Sequence, residues 1–191
     1  MLRNVFKAAI SLVLAVLALA APSSTSHASE AASWAALGRG AIVLFRHANA
    51  PGGGDPPGFQ LGDCSTQRNL DDEGRRQAVR IGETFRQHGI AVGAVLTSQW
   101  CRAVQTAELG FRGQARVEPA FNSFFDEPSK GPERTATARF IMLGWRGPGA
   151  LVVTTHQVNI AALTGISPAS GEGVVLERNG DALQIVGRIK P

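Results

Sequence analysis

No stretch of this 191-residue chain is long enough in apolar residues for an ordinary membrane span: the longest run, Ala8 to Ala21, holds about 14 residues, against the roughly 20 that a crossing helix needs. Cysteine is limited to Cys64 and Cys101, which leaves room for one bridge. The four histidines show no paired metal-ligand spacing such as His-x-x-x-His, which argues against a metal site; no cofactor is expected. No Gly-x-Ser-x-Gly elbow is present, which argues against a serine hydrolase of the Ser-His-Asp kind. The glycine-rich segment "PGGGDPPG" (51–58) lacks the lysine and serine or threonine of a nucleotide P-loop, and no helix signal follows it directly. It reads as a mobile rim. Internal repeats and low-complexity tracts are also missing.

What is there begins with a leader. Arg3 and Lys7 precede the apolar run, and a polar stretch ending in "SHAS" offers a small-x-small cleavage site after Ala28. The chain therefore divides into a signal peptide, 1–28, and one domain, 29–191, in the periplasm or outside the cell. An uncleaved N-terminal anchor is the other reading of the same segment. Of the 19 basic residues, Arg3 and Lys7 fall in the leader, so 17 face 15 acidic ones in the mature part. So small an excess does not suggest a nucleic-acid partner. With the leader removed, no stable membrane span is expected.

Strand and helix signals alternate along the mature chain. A short helix is expected around "EAASWAALGRG", then strands at "AIVLF" (41–45), "VGAVLTS" (92–98), "ARVEP" and "ALVVTTH" (150–156). Helices are expected at "LDDEGRRQAVRIGETFRQHG" (70–89), "QWCRAVQTAELGF" and "ERTATARFIMLGW". The run "RRQAVR" reads as a solvated helix face. "GVVLERNGDALQIVGRI" closes the chain as a hairpin with Asn179-Gly180 as its two-residue turn. The pattern predicts an α/β fold with a largely parallel central sheet and a C-terminal antiparallel hairpin.

Ligands of open α/β sheets bind beyond the carboxyl ends of the strands. Three of the expected strands end in reactive groups: Arg46-His47 after the first, Ser98 and then Arg102 after the second, and Thr154-Thr155-His156 after the fourth. Arg102 is the most informative, because a cation in a helix's first turn is disfavoured by the macrodipole unless an anion sits beside it. Taken singly, each histidine also reads as a strand-end side chain satisfied by a backbone carbonyl. Two histidines and two arginines at one sheet edge favour an anion site with a reactive imidazole. His27 belongs to the leader, and His88 suits the last turn of its helix.

"LFRHA", "RNLDDEGRRQA", "SQWCRAVQTA" and "VVTTHQVNI", in that order and spacing, resemble the histidine phosphatase superfamily over nearly all of residues 41–165. The resemblance implies a three-layer α/β/α sandwich and a metal-free reaction through a phosphohistidine. It implies His47 as nucleophile, with Arg46, Arg102 and His156 holding the phosphoryl oxygens. Ala48 stands where the family usually has glycine, which adds only a methyl. Exported members with Arg-His-Ala include phosphatases acting on lipopolysaccharide core sugars, so the implied partner is a small phosphorylated substrate, with phosphosugars among the candidates.

The family's acidic proton donor has no obvious counterpart. It would lie in "EPAFNSFFDEPSK", where Asp126 is preferred over Glu127 and Glu118 because three phenylalanines precede it and could desolvate its carboxyl. Export also predicts a Cys64–Cys101 disulfide that pins the loop after His47 to the Arg102 helix. The function expected is an exported phosphomonoesterase. The alternative is a non-catalytic phosphate-binding protein of the same fold. A mutase is less compatible with export.

Overall fold

The structure, a computed structural model, describes residues 25–191, so the expected leader lies outside the described residues up to residue 24. Helix α1 (Thr25–Gly38) has the expected cleavage point, Ala28, in its first turn. Then come β1 (Ile42–Arg46), α2 (Asp72–Gln87), β2 (Val92–Thr97), α3 (Cys101–Gly110), β3 (Ala115–Val117), α4 (Gly131–Gly144), β4 (Ala150–Thr155), α5 (Gln157–Thr164) and a hairpin of β5 (Gly173–Asn179) and β6 (Ala182–Ile189). One six-stranded sheet runs in the order β3-β2-β4-β1-β5-β6. The first four of these strands are mutually parallel, and β5 and β6 add antiparallel pairings. The expected fold class is the one observed.

The strands' alternation builds two cores. Val43 and Phe45 of β1 pack with Trp34, Leu37, Ile81, Phe85 and Phe111, against α1, α2 and α3 on one face. Ile42 and Leu44 point the other way, to Phe121, Met142 and Ile160 beneath α4 and α5. Helices on both faces explain why β1 and β4 read as unbroken apolar runs, and every residue of β4 is buried.

Helix α2 starts as its sequence indicates. Asp71 caps it, accepting from the Gly74 N–H at 2.6 Å, and Asp72 and Glu73 occupy the first turn. A Cβ on Gly74 would lie 2.0 Å from the Asn49 carbonyl oxygen, so this glycine lets α2 press against the chain just after His47.

Two local expectations are corrected. The hairpin's loop is Gly180-Asp181, because Asn179 is paired with Ala182 and the positive φ (60°) falls on Gly180. A single positive φ at the first loop position is the type II′ pattern, which wants glycine there. Helix α5 was not expected at all. Its "QVNIAALT" is short and has no side-chain cap.

Candidate active site

Because β2, β4 and β1 are adjacent and parallel, their carboxyl ends share one edge, and the reactive groups expected there do meet. Arg46 is paired in register with Thr155, and the His47 N–H donates to the Thr155 carbonyl at 2.9 Å. His47 and His156 face each other with ring centroids 5.5 Å apart. Together with Arg46 and Arg102 they line a cavity of about 270 Å³.

His47 is 2 % exposed. Its Nδ1 lies 2.8 Å from the Ala48 carbonyl oxygen, a group that can only accept. Nδ1 therefore carries the proton, and Nε2 keeps its lone pair. Burial pushes this imidazole down to about 3, opposed by the Ala48 hydrogen bond and reinforced by the charges of Arg102, Arg68 and Arg46. The ring is neutral at physiological pH. The extra methyl of Ala48 sits in a small buried cluster with Ala50, Leu70 and Ala78, and the Ala48 N–H donates to Thr106 Oγ1 at 3.0 Å.

His156 is also neutral. Its pKa is driven well below the usual histidine value, first by burial, then by electrostatic coupling to His47 and by the charges of the arginines. Its Nε2 lies 2.7 Å from Ser98 Oγ, which accepts from the Trp100 N–H at 3.2 Å.

Arg102 does have the anionic neighbour that its place in the first turn called for, but the anion is part of the chain. Asp55 forms a buried two-pronged ion pair with it, at 2.7 and 3.1 Å, and the two side chains are 4 % and 2 % exposed. Sequence reasoning missed Asp55 and dismissed its loop as a mobile rim. The loop is instead fastened. Arg68 donates from Nε to Gly54 O at 2.8 Å and from Nη1 to Ala50 O, and its own backbone N–H reaches Asp55. Arg68 was missed as well, although it stands at the head of a recognisable motif and joins Arg46 and Arg102 in lining the cavity. Cys64 and Cys101 form the expected disulfide, and the Cys101 N–H is capped by Gln67 Oε1 at 3.0 Å.

Arg46 is held by the turn before β5. Its Nη1 donates to Pro168 O at 3.2 Å, and Gly171 N–H reaches the carbonyls of Arg46 and His47 at 3.1 and 3.2 Å. Gln77 ties the parts together by accepting from Asn49 N–H at 2.9 Å and donating to Ser170 O at 2.8 Å. The "RRQAVR" run is therefore a solvated face only for its arginines. Arg76 and Arg80 pair with Glu73, while Gln77 turns inward. The Nε–H groups of Arg46 and Arg102 are buried and have no hydrogen-bond partner among the described residues.

The far wall is formed by Ser123, Phe125, Asp126, Gln157 and Val158. Asp126 reaches the cavity, but the apolar enclosure expected for it is not there. Asp126 is exposed, Phe121 is buried in the core, Phe124 lies over Gly131, and Phe125 is 60 % exposed. Neighbouring phenylalanines in sequence point in different directions in space. Glu127 is turned to Lys130 at 2.5 Å, which lowers its pKa. Glu118 caps the turn at Ala120 and does not line the cavity. Among the described residues no three His, Cys, Asp or Glu side chains gather as a metal site would.

Residues 42–131 match the family model of the histidine phosphatase superfamily (branch 1). Similar solved structures include the protein histidine phosphatase SixA complexed with tungstate, 15 % identical, with a TM-score of 0.53 and coverage of 78 % of this chain and 96 % of that one. The mycobacterial glucosyl-3-phosphoglycerate phosphatase Rv2419c, complexed with VO3, is 17 % identical over 76 % of this chain and 96 % of its own, with a TM-score of 0.53. A phosphoserine phosphatase from Entamoeba histolytica in complex with phosphoserine is 10 % identical over 78 % and 95 %, again with a TM-score of 0.53. At these identities the likeness is one of fold. No curated protein matches the chain.

Proposed function

Residues 42–131 belong to the histidine phosphatase superfamily, and from that premise we propose that the chain is an exported phosphomonoesterase that passes the phosphoryl group first to His47 and then to water. One observation carries the reading. A neutral imidazole with its lone pair on Nε2 shares a cavity with three arginines, Arg46, Arg68 and Arg102.

In the first step His47 Nε2 attacks phosphorus, the N–P bond forms, and the bond to the leaving oxygen breaks. In the second, water attacks phosphorus and gives a proton to the carboxylate that the first step leaves on Asp126, the N–P bond breaks, and inorganic phosphate departs. Arg46, Arg102 and Arg68 stabilise the charge on the phosphoryl oxygens. His156 lines the same cavity and joins the arginines in holding the phosphoryl oxygens, its Nε2 lying 2.7 Å from Ser98 Oγ. Asp126 is the acid on the leaving-group side. Metal is not required by any of these steps, since each charge has a protein partner. The cavity of about 270 Å³ suits a small phosphorylated molecule, phosphosugars included. The tungstate- and VO3-bound neighbours are in keeping with an oxyanion site. Export is supported by the leader's pattern and by the Cys64–Cys101 bridge, which persists in oxidising compartments.

The exposure of Asp126 favours a second reading, a phosphate-binding protein without turnover. Turnover of an aryl phosphate after exhaustive chelation, with acid-quench trapping of an acid-labile phosphoenzyme, decides between the two. The expected result is activity and a trapped phosphoenzyme, both absent in His47→Ala. Activity lost on chelation and restored by a divalent ion would overturn the mechanism, and tight phosphate binding without turnover would establish the second reading.

A further inference from the structure

The Asp55 carboxylate lies at the cavity, yet the two steps above make no use of it. Its surroundings say what it can and cannot do. Oδ1 accepts from Arg102 Nη1 at 2.7 Å and from the Arg68 backbone N–H at 3.1 Å, while Oδ2 accepts from Arg102 Nη2 at 3.1 Å and from Trp100 Nε1 at 2.9 Å. A carboxylate offers about four lone-pair sites, and here all are filled. Burial alone would raise this carboxyl, but the Arg102 hydrogen bonds and charge, with the Arg68 and Trp100 donors, hold it below the ordinary range. Asp55 therefore neither gives a proton to a leaving group nor takes one from water.

A guanidinium has two edges that can grip an oxyanion with paired N–H groups: the end, Nη1 with Nη2, and the side, Nε with one Nη. Asp55 occupies the end of Arg102, and Nη1 also donates to the Arg68 carbonyl at 3.3 Å. Arg102 Nε is left buried and without a partner among the described residues.

We propose that Asp55 is a positioning residue that locks Arg102 by its end, so that Arg102 meets the phosphoryl group only through its Nε edge. This rests on the phosphatase reading and deepens it. Without the carboxylate, Arg102 is free to turn its end toward a phosphate, and the charges of Arg46, Arg68 and Arg102 are no longer offset. The ground state is then held more tightly but in the wrong orientation, so binding and turnover move in opposite directions.

The test uses the mature chain with p-nitrophenyl phosphate for turnover, and inorganic phosphate and tungstate for calorimetric affinity. Asp55→Asn should lower kcat by about 10- to 100-fold, within the range seen for misplacements near 1 Å. KM and both oxyanion dissociation constants should fall with it. Trp100→Phe, which removes one donor from Oδ2 and keeps a ring, should move all of them the same way by a few-fold and carries the test if Asp55→Asn does not fold. A kcat within twofold of wild type in a folded variant would overturn the proposal. So would lower kcat with weaker oxyanion binding, which would mark Asp55 as a loop fastener only. A wild type that binds phosphate but turns nothing over would sink the phosphatase reading instead; the tungstate affinities alone then decide, tighter binding in Asp55→Asn supporting the positioning role and unchanged or weaker binding refuting it.

Discussion

The floor and the rim of the cavity are built by different means. The floor's His47, Arg46 and His156 hang from the ends of adjacent strands whose backbones are cross-bonded, and the two histidines are almost fully buried. The rim's Phe125, Asp126 and Gly52–Gly54 belong to loops, and Phe125 and Asp126 are largely in solvent. Chemistry that must be repeated on every substrate sits on the sheet, and contacts with the variable part of a substrate sit on loops that can change without disturbing it. Asp55 is the exception, a loop residue drafted into the floor.

Substitutions can break or sharpen this contrast. The largest effect belongs to the floor. His47→Ala should cost about 10³-fold or more in kcat, with no trapped phosphoenzyme, because no other group supplies the bare imidazole nitrogen. Arg102→Ala follows at about 10²–10³-fold by analogy with lost oxyanion donors, measured on the same aryl phosphate. Unlike Asp55→Asn it should also weaken tungstate binding.

The disulfide joins the two regions. Its cysteines are 37 residues apart in sequence, a loop whose closure is worth about 3–4 kcal/mol in the chain-entropy account. Cys64→Ser or mild reduction should lower stability to chemical denaturation by that order, with loss of activity at denaturant concentrations that the oxidised protein tolerates.

The pH response tests the burial of the floor. His47 titrates near 6.5 in an unfolded chain and at about 3 in the folded one, so between those values the unfolded chain binds a proton that the folded one refuses. Its contribution is fully favourable above about pH 6.5 and is lost as pH falls toward 3, by up to about 1.4 kcal/mol per unit. His156 acts in the same direction. Denaturant titrations from pH 7 to 4 should show this slope, and His47→Asn should reduce it to the part that His156 contributes. The activity of the folded enzyme should show no acid limb from His47 near 6.5.

The smallest effect is expected at the rim. An exposed Asp126 contributes less than an enclosed acid, so Asp126→Asn should slow an alkyl phosphate by about tenfold, below the usual range for general acid catalysis. An aryl phosphate, whose leaving group needs little protonation, should be unaffected. Equal effects on the two substrates would remove Asp126 from the mechanism.

The same contrast explains what the sequence could convey. The central parallel strands were legible because burial on both faces leaves continuous apolar runs, and their ends named Arg46, His47 and His156 directly. Helix α5 was not, because eight residues without a side-chain cap or an amphipathic pattern carry no periodic signal. Asp55 was illegible for another reason. Its partner lies 47 residues away, and a carboxylate amid glycines and prolines looks the same in sequence whether it meets solvent or an arginine. For Asp126, the adjacent phenylalanines suggested an apolar enclosure, yet sequence adjacency does not give side-chain direction in a loop.

The central place of β4 has a consequence for motion. Paired on both sides by β1 and β2, and buried along its whole length, β4 offers its amides no local route to solvent. Their hydrogen exchange should require opening of the whole domain, whereas the amides of the exposed Gly52, Gly53 and Gly58 should exchange by small local excursions. His156 follows β4 directly. The imidazole facing His47 is thus tethered to the strand expected to open last, so a substrate entering past the loop should disturb its surroundings without moving it.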